Sequence, residues 1–218
     1  MEVYRSIVEA LQSDGVCLVA VSKTKPVEQL RQFYEAGQRI FGENRATEMA
    51  DKYEQLPKDI EWHMIGHLQR NKVKLIAPFV ALIHAVDSPR LLREINKEAA
   101  RNERTIDCLL QFHIAEESTK YGLDYEQAAE LLDSEEYRTM ENVRIVGVMG
   151  MATFTDDQAQ VRREFRQLKQ HFDRLKTEFF AEEESFREIS MGMSGDYQIA
   201  VEEGSTMVRI GSLLFGAR

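Results

Sequence analysis

Val16-Cys17-Leu18-Val19-Ala20-Val21-Ser22-Lys23-Thr24-Lys25-Pro26 is the stretch on which the reading of this chain turns. Its apolar run is short, valine-rich and bounded by a proline, the pattern of a strand covered on both faces. In an open, doubly wound sheet, the turn after the first strand would carry the glycines of a G-x-G-x-x-G phosphate loop. Here that turn is Lys23-Thr24-Lys25-Pro26, without a glycine. A strand-end lysine ordinarily snorkels to solvent. At the edge of a buried strand, however, its ammonium is partly desolvated, which favours the neutral amine that attacks a carbonyl to form a Schiff base. Lys25 has the same strand parity but directly precedes Pro26 further out in the loop, so Lys23 is the candidate.

The alternation begun at Val16 continues along the chain. Strands are predicted near 16–22, 39–42, 61–65, 81–86, 106–114, 143–149, 186–190 and 207–210. A helix over 3–12 precedes them, and helices are predicted over 27–36, 44–55, 69–76, 89–104, 125–132, 156–180 and 196–203. Gly37 suits a helix C-cap, Ser88-Pro89 a helix start, and Thr155 or Asp156 the N-cap of the long helix. The stripe Phe165, Leu168, Phe172, Leu175, Phe179 reads as core. Glu182-Glu183-Glu184 reads as a solvated loop. Eight strands, each but the last followed by a helix, predict a single (β/α)8 TIM barrel with an additional N-terminal helix, one domain over 1–218.

Composition narrows the partners. The 28 Lys+Arg against 37 Asp+Glu leave a net charge of -9, which argues against nucleic acid or an anionic membrane. Cys17 and Cys108 lie in apolar runs, as free thiols of a reducing compartment do. No basic and apolar leader is visible at the N-terminus, and no apolar stretch approaches bilayer length. A cytoplasmic location is expected. A monomer is expected too, since no large apolar surface stands out beyond the barrel helices.

Barrel chemistry collects where strands end. Lys23, Asn44, His67 and Ser194 fall just after strands one, two, three and seven, and Arg209 lies within strand eight. Gly211 and Ser212 follow it, and with the small-residue loop Met191-Gly192-Met193-Ser194-Gly195-Asp196 they suit a phosphate. Arg209 in an apolar strand needs a partner: Glu202, Glu203 or a neighbouring strand, or a ligand such as a phosphate or a heteroaromatic ring nitrogen. His63 and His67 straddle Gly66, and neither H-E-x-x-H nor C-x-x-C occurs, so no metal site is predicted. Gly192-Met193-Ser194-Gly195 misses a nucleophile elbow because position 196 is Asp.

Several segments together resemble a known family. They are Ala20-Val21-Ser22-Lys23-Thr24-Lys25-Pro26, Phe41-Gly42-Glu43-Asn44, and Trp62-His63-Met64-Ile65-Gly66-His67-Leu68-Gln69-Arg70-Asn71-Lys72. Ser190-Met191-Gly192-Met193-Ser194, Ser205-Thr206-Met207-Val208-Arg209-Ile210-Gly211-Ser212 and Phe215-Gly216-Ala217-Arg218 complete the set. They resemble the pyridoxal phosphate homeostasis protein family, itself similar to the barrel domain of alanine racemase and of bacterial ornithine decarboxylase. The resemblance implies pyridoxal 5'-phosphate as cofactor, bound to Lys23 as a Schiff base, with Arg209 facing the pyridine nitrogen. It implies a phosphate held by Ser194, Gly211 and Ser212, where Ser212 replaces the threonine of many relatives, and places Asn44 and His67 near the cofactor. Lys120 matches a family lysine of open role.

An Arg at the ring nitrogen keeps that nitrogen unprotonated and weakens the ring as an electron sink, which suits a carrier better than a catalyst. The second, β-rich domain of the racemases and decarboxylases is expected to be absent, leaving the site open to solvent. The expected function is therefore cofactor homeostasis without robust turnover: holding, buffering or supplying pyridoxal 5'-phosphate, to apoenzymes that use it, with effects on amino-acid and keto-acid pools. The alternatives are an amino-acid racemase or decarboxylase on the same cofactor, and a cofactor-free Schiff-base aldolase.

Overall fold

The computed structural model describes residues 1–116 and 121–216. Eight parallel strands close a barrel in sequence order: β1 Cys17–Val21, β2 Ile40–Glu43, β3 Glu61–Met64, β4 Leu82–Val86, β5 Ile106–Phe112, β6 Val143–Gly150, β7 Glu188–Ser190 and β8 Met207–Ile210. Around them lie α1 Glu2–Ser13, α2 Val27–Glu35, α3 Ala46–Gln55, α4 Val73–Ile76 after a 3-10 turn, α5 Pro89–Arg101, α6 Tyr125–Asp133, α7 Glu135–Arg138, α8 Gln158–Glu178, α9 Tyr197–Glu202 and α10 Ser212–Phe215. The predicted barrel with its N-terminal helix is the observed one.

Two apolar layers follow from strand alternation. Outward residues such as Phe41, Trp62 and Ile83 pack under the helices, where Phe165, Leu168 and Leu175 of α8 are fully buried. Inward residues Val19, Leu82, Leu109, Val146, Met149 and Met207 fill the barrel itself. Helix α1 turns the stripe Tyr4, Ile7, Leu11 inward, and Tyr4 meets the edge of the Phe33 ring of α2. Strand β6 bulges beside β5, and at Gly147 (φ 157°) an added Cβ would sit 1.8 Å from the Glu188 carbonyl oxygen, so only glycine fits.

Three local details differ from the sequence reading. The N-cap of α8 is Asp157, whose carboxylate accepts from the Ala159 and Gln160 amides, while Thr155 merely accepts from the Asp157 amide. Helix α7 was not expected: Ser134 ends α6 and caps the next four residues, a segment too short to show periodicity. Helix α10 was not expected either. It exists because Phe215 is buried 4.5 Å from the Phe33 ring centre.

Inside the barrel stand two imidazoles, His63 of β3 and His84 of β4, with His84 Nε2 and His63 Nδ1 3.0 Å apart. Among the described residues no group of His, Cys, Asp and Glu could hold a metal ion. Burial drives both rings neutral, His63 to about 3, and His84 is lowered further by the nearby His63 and Arg209 charges. The unfolded chain takes up these two protons near pH 6.5, whereas the fold does not. Stability is therefore full above about pH 6.5 and falls as pH drops below it, by about 1.4 kcal/mol per pH unit for each ring. Urea unfolding at pH 7.5 and pH 5.5 should differ by about 2–3 kcal/mol; equal stabilities would mean that the rings are protonated in the fold.

Candidate functional site

Cavities open at both mouths of the barrel. The one at the strand N-termini, about 650 Å³, is bordered by Glu61, Asp107, Arg144 and Glu188. Its charges largely answer one another, as in the 2.7 Å pair of Arg144 with Asp107. The other, about 560 Å³, lies at the strand C-termini and is lined by Lys23, Asn44, Ser194, Arg209, Gly211 and Ser212. It is the mouth where most of the predicted residues converge.

His67 is not brought there. Gly66 is pressed so closely onto the β2 loop that a Cβ would meet the Asn44 carbonyl at 2.6 Å, and the chain then turns outward. His67 is exposed, 3.2 Å from an Asp87 carboxylate oxygen and stacked on Tyr121. Lys120 lies outside the described residues.

The turn that carries Lys23 is clamped from below. Ser22 and Glu43 point away from the barrel interior towards α3, where the buried Lys52 ammonium donates to the Ser22 carbonyl at 2.8 Å and to Glu43 and Glu48 at 2.7 Å each. Ser22 Oγ donates to the same Glu43 oxygen at 2.6 Å, and Glu48 accepts from the Thr24 amide at 2.6 Å. Burial raises the Glu43 carboxyl, and the Lys52 charge opposes that rise. Thr24 is held at φ 64°, a left-handed conformation that β-branched residues rarely adopt. Half-buried Lys23 thus stands on a turn tied at both flanks. Lys25 is occupied elsewhere, donating to the Phe215 and Gly216 carbonyls at 2.9 and 3.3 Å.

Arg209 points into the barrel beside β1, where its residue pairs with Val19. It bonds neither Glu202 nor Glu203, which are taken by Arg162 and Arg166 of α8. Instead it donates to Ser190 Oγ at 2.5 Å and to the Gly150 carbonyl at 3.0 Å. Burial lowers it to about 10, and the Asp196 charge opposes that, so it stays cationic at neutral pH.

The two small-residue loops meet, since the Gly211 amide donates to Ser194 Oγ at 3.3 Å. A Cβ on Gly211 would come within 3.2 Å of the Val21 carbonyl oxygen, so glycine lets the loop lie against β1. Asn44 Oδ1 is buried with no hydrogen-bond partner. The sequence reading missed the wall built by Met151, Thr153, Phe154, Thr155 and Asp156 after β6. The buried Glu164 of α8 accepts from both the amide and the hydroxyl of Thr153, at 2.6 and 2.7 Å, and fixes this wall. Its position after a barrel strand was the available signal.

A sequence model described as "Alanine racemase, N-terminal domain" matches residues 3–218, so fold and site define a barrel of the alanine racemase N-terminal class. Within that class the chain belongs to the pyridoxal phosphate homeostasis protein family. It is 43% identical over 204 residues to the Aquifex aeolicus protein of that name, covering 92% of this chain and 86% of the relative. To the Escherichia coli protein it is 33% identical over 209 residues, 94% of this chain and 87% of the relative. PipY of Synechococcus elongatus, solved with pyridoxal phosphate bound, superposes with a TM-score of 0.84 at 34% identity over 96% of this chain and 98% of that one. A Clostridium difficile alanine racemase shares the fold alone, with a TM-score of 0.76 and 14% identity, and this chain covers 60% of it.

The clamp beneath Lys23 makes a stability prediction. Lys52→Met leaves Glu43 buried without its cation and should cost about 3–5 kcal/mol. Adding Glu43→Gln, which removes the stranded charge and keeps an acceptor for Ser22, should recover much of that loss. Urea unfolding of both variants checks this, and a Lys52→Met protein as stable as the parent would refute it.

Proposed function

We propose that the C-terminal mouth holds pyridoxal 5'-phosphate as a reversible Schiff base on Lys23, and that the protein buffers or supplies this cofactor rather than turning over a substrate. The observation that carries this reading is the convergence of Lys23, Arg209, Ser194 and Gly211 on one cavity. These residues fit the group. Lys23 supplies the amine, the Ser194 and Ser212 hydroxyls beside the close-lying Gly211 backbone suit a phosphate, and Asn44 Oδ1 is an acceptor in need of a donor. His67 lies outside the lining of this cavity, against Asp87 and Tyr121.

When bound, the cofactor supplies an aldehyde for an amine and an electron-withdrawing ring. Arg209 would serve the ring nitrogen, where its charge would oppose protonation and so weaken that withdrawal. The rim adds to the case, since Phe154 is 97% exposed and Met193 is also exposed, so the described residues leave the mouth accessible to water. The names of the relatives and the bound cofactor of PipY support the same reading.

On this reading the whole of 1–218 works as one cofactor-binding unit, a monomer of the cytoplasm with no nucleic-acid or membrane partner. Apoenzymes that require the cofactor would be its receivers, and amino-acid and keto-acid pools would respond to its loss. No helix among the described residues is long and apolar enough to cross a membrane. The thiols of Cys17 and Cys108 are free and pushed up by burial, Cys17 to about 12, which fits a reducing setting.

Borohydride reduction of cofactor-loaded protein, followed by peptide mass spectrometry, should find the pyridoxyl-phosphate adduct on Lys23, and Lys23→Ala should lose it. Unmodified Lys23 in yellow, loaded protein would overturn the assignment. Amino-acid racemisation at about 1 per second or more would replace the holder with an enzyme.

A further inference from the structure

Arg209 is nearly fully buried, yet no carboxylate among the described residues forms an ion pair with its guanidinium. Its acceptors are neutral, the Ser190 hydroxyl and the Gly150 carbonyl. Behind Ser190 the polar contacts continue. Ser190 Oγ lies 3.0 Å from His84 Nδ1, and His84 Nε2 lies 3.0 Å from His63 Nδ1. The four side chains come from β8, β7, β4 and β3, so the chain crosses an otherwise apolar barrel interior. His63 in turn borders the cavity at the opposite mouth.

The chemistry of the ends fixes the direction of every bond. A guanidinium only donates, so Ser190 Oγ accepts from it and keeps its own proton to give. The His84 Nδ1 atom is the partner in reach. Were His84 to donate there instead, the hydroxyl proton of a fully buried serine would have no acceptor, at a cost of about 1–3 kcal/mol. His84 Nδ1 therefore accepts, its proton sits on Nε2, and it donates to His63 Nδ1. His63 then carries its proton on Nε2. One arrangement satisfies the chain, and each link polarises the next.

We infer that Ser190, His84 and His63 are positioning residues for Arg209, a one-way hydrogen-bond chain that holds the guanidinium through a neutral acceptor. No bonded carboxylate among the described residues then cancels its charge towards the bound ring, and only the Asp196 charge, on the same cavity, moderates it. A carboxylate in place of Ser190 would fix the arginine equally well but would cancel much of its charge. The chain thus sets how strongly Arg209 opposes protonation of the ring nitrogen. This deepens the proposed cofactor-holding function and rests on it where the ring is concerned, while the polarity of the chain is a property of the protein alone.

The test separates the two. In cofactor-free protein, long-range proton–nitrogen NMR correlations should find both buried rings as Nε2–H tautomers; an Nδ1–H form of either ring would overturn the chain, whether or not any cofactor binds. In protein reconstituted with pyridoxal 5'-phosphate labelled with nitrogen-15 in its ring, the wild type should give the shift of an unprotonated ring nitrogen. Ser190→Ala should move that resonance, weaken cofactor binding about tenfold, and still yield the reducible Lys23 adduct. Ser190→Thr, which keeps the hydroxyl, should restore the resonance. An unmoved resonance and unchanged affinity in Ser190→Ala would overturn the inference, whereas a wild type with no Lys23 adduct would overturn the cofactor reading and leave the tautomers to decide the chain.

Discussion

Everything at the C-terminal mouth depends on the pairing of the first strand with the last. Four successive residues of β1 lie beside four of β8, from Cys17 with Met207 to Ala20 with Ile210. That ladder closes the sheet, and it also sets a register. With Val19 opposite Arg209, the amine two residues past β1 and the guanidinium of β8 must share one cavity. The loop bond from Lys25 to the Phe215 carbonyl, 190 residues away in the chain, seals the same junction from above. A slip of one residue would turn Arg209 out under the helices.

The molecule handles its buried charges in two ways. Beneath Lys23, Lys52 and Glu43 neutralise each other and gather the backbone of the lysine turn around them. A pair of that kind contributes little net stability but imposes one geometry, because any other arrangement strands a charge. Arg209 is treated differently, being satisfied by hydrogen bonds and left with its charge. The first device makes a rigid turn; the second makes a directed electrostatic field. Between them they fix the position of the Lys23 turn and of the Arg209 guanidinium.

How much of this could be read from the sequence follows from the range of each interaction. The strand at Val16 and the lysine closing it are local facts, carried by a valine-rich run and a proline. Arg209 was legible as an anomaly, a charge in an apolar strand, with Glu202, Glu203 or a neighbouring strand as the expected partner. Glu202 and Glu203 serve α8, and the neighbouring strand supplies the acceptor, though as the neutral Ser190 hydroxyl and not as the ion pair expected. Nothing in the residues around Ser190 or His84 announces that they meet across the barrel, since that contact exists only once the sheet has closed. His67 was misplaced for the converse reason: proximity to a strand end said nothing of the outward turn that the tight approach of Gly66 to Asn44 forces. The short α7 and α10 escaped notice because four residues cannot display a period.

Thr24 holds a consequence for time rather than energy. Its left-handed backbone, tied through the amide to Glu48, is a conformation that a free loop would visit rarely. Because the fold already maintains it, the backbone that carries Lys23 stands in place at the mouth without a search through loop conformations. On the proposed function, capture there would be governed by diffusion to the opening and by the chemistry of the amine. A glycine at this position would keep the amide tie to Glu48 and relieve the strain, while giving the unfolded turn more conformations to lose.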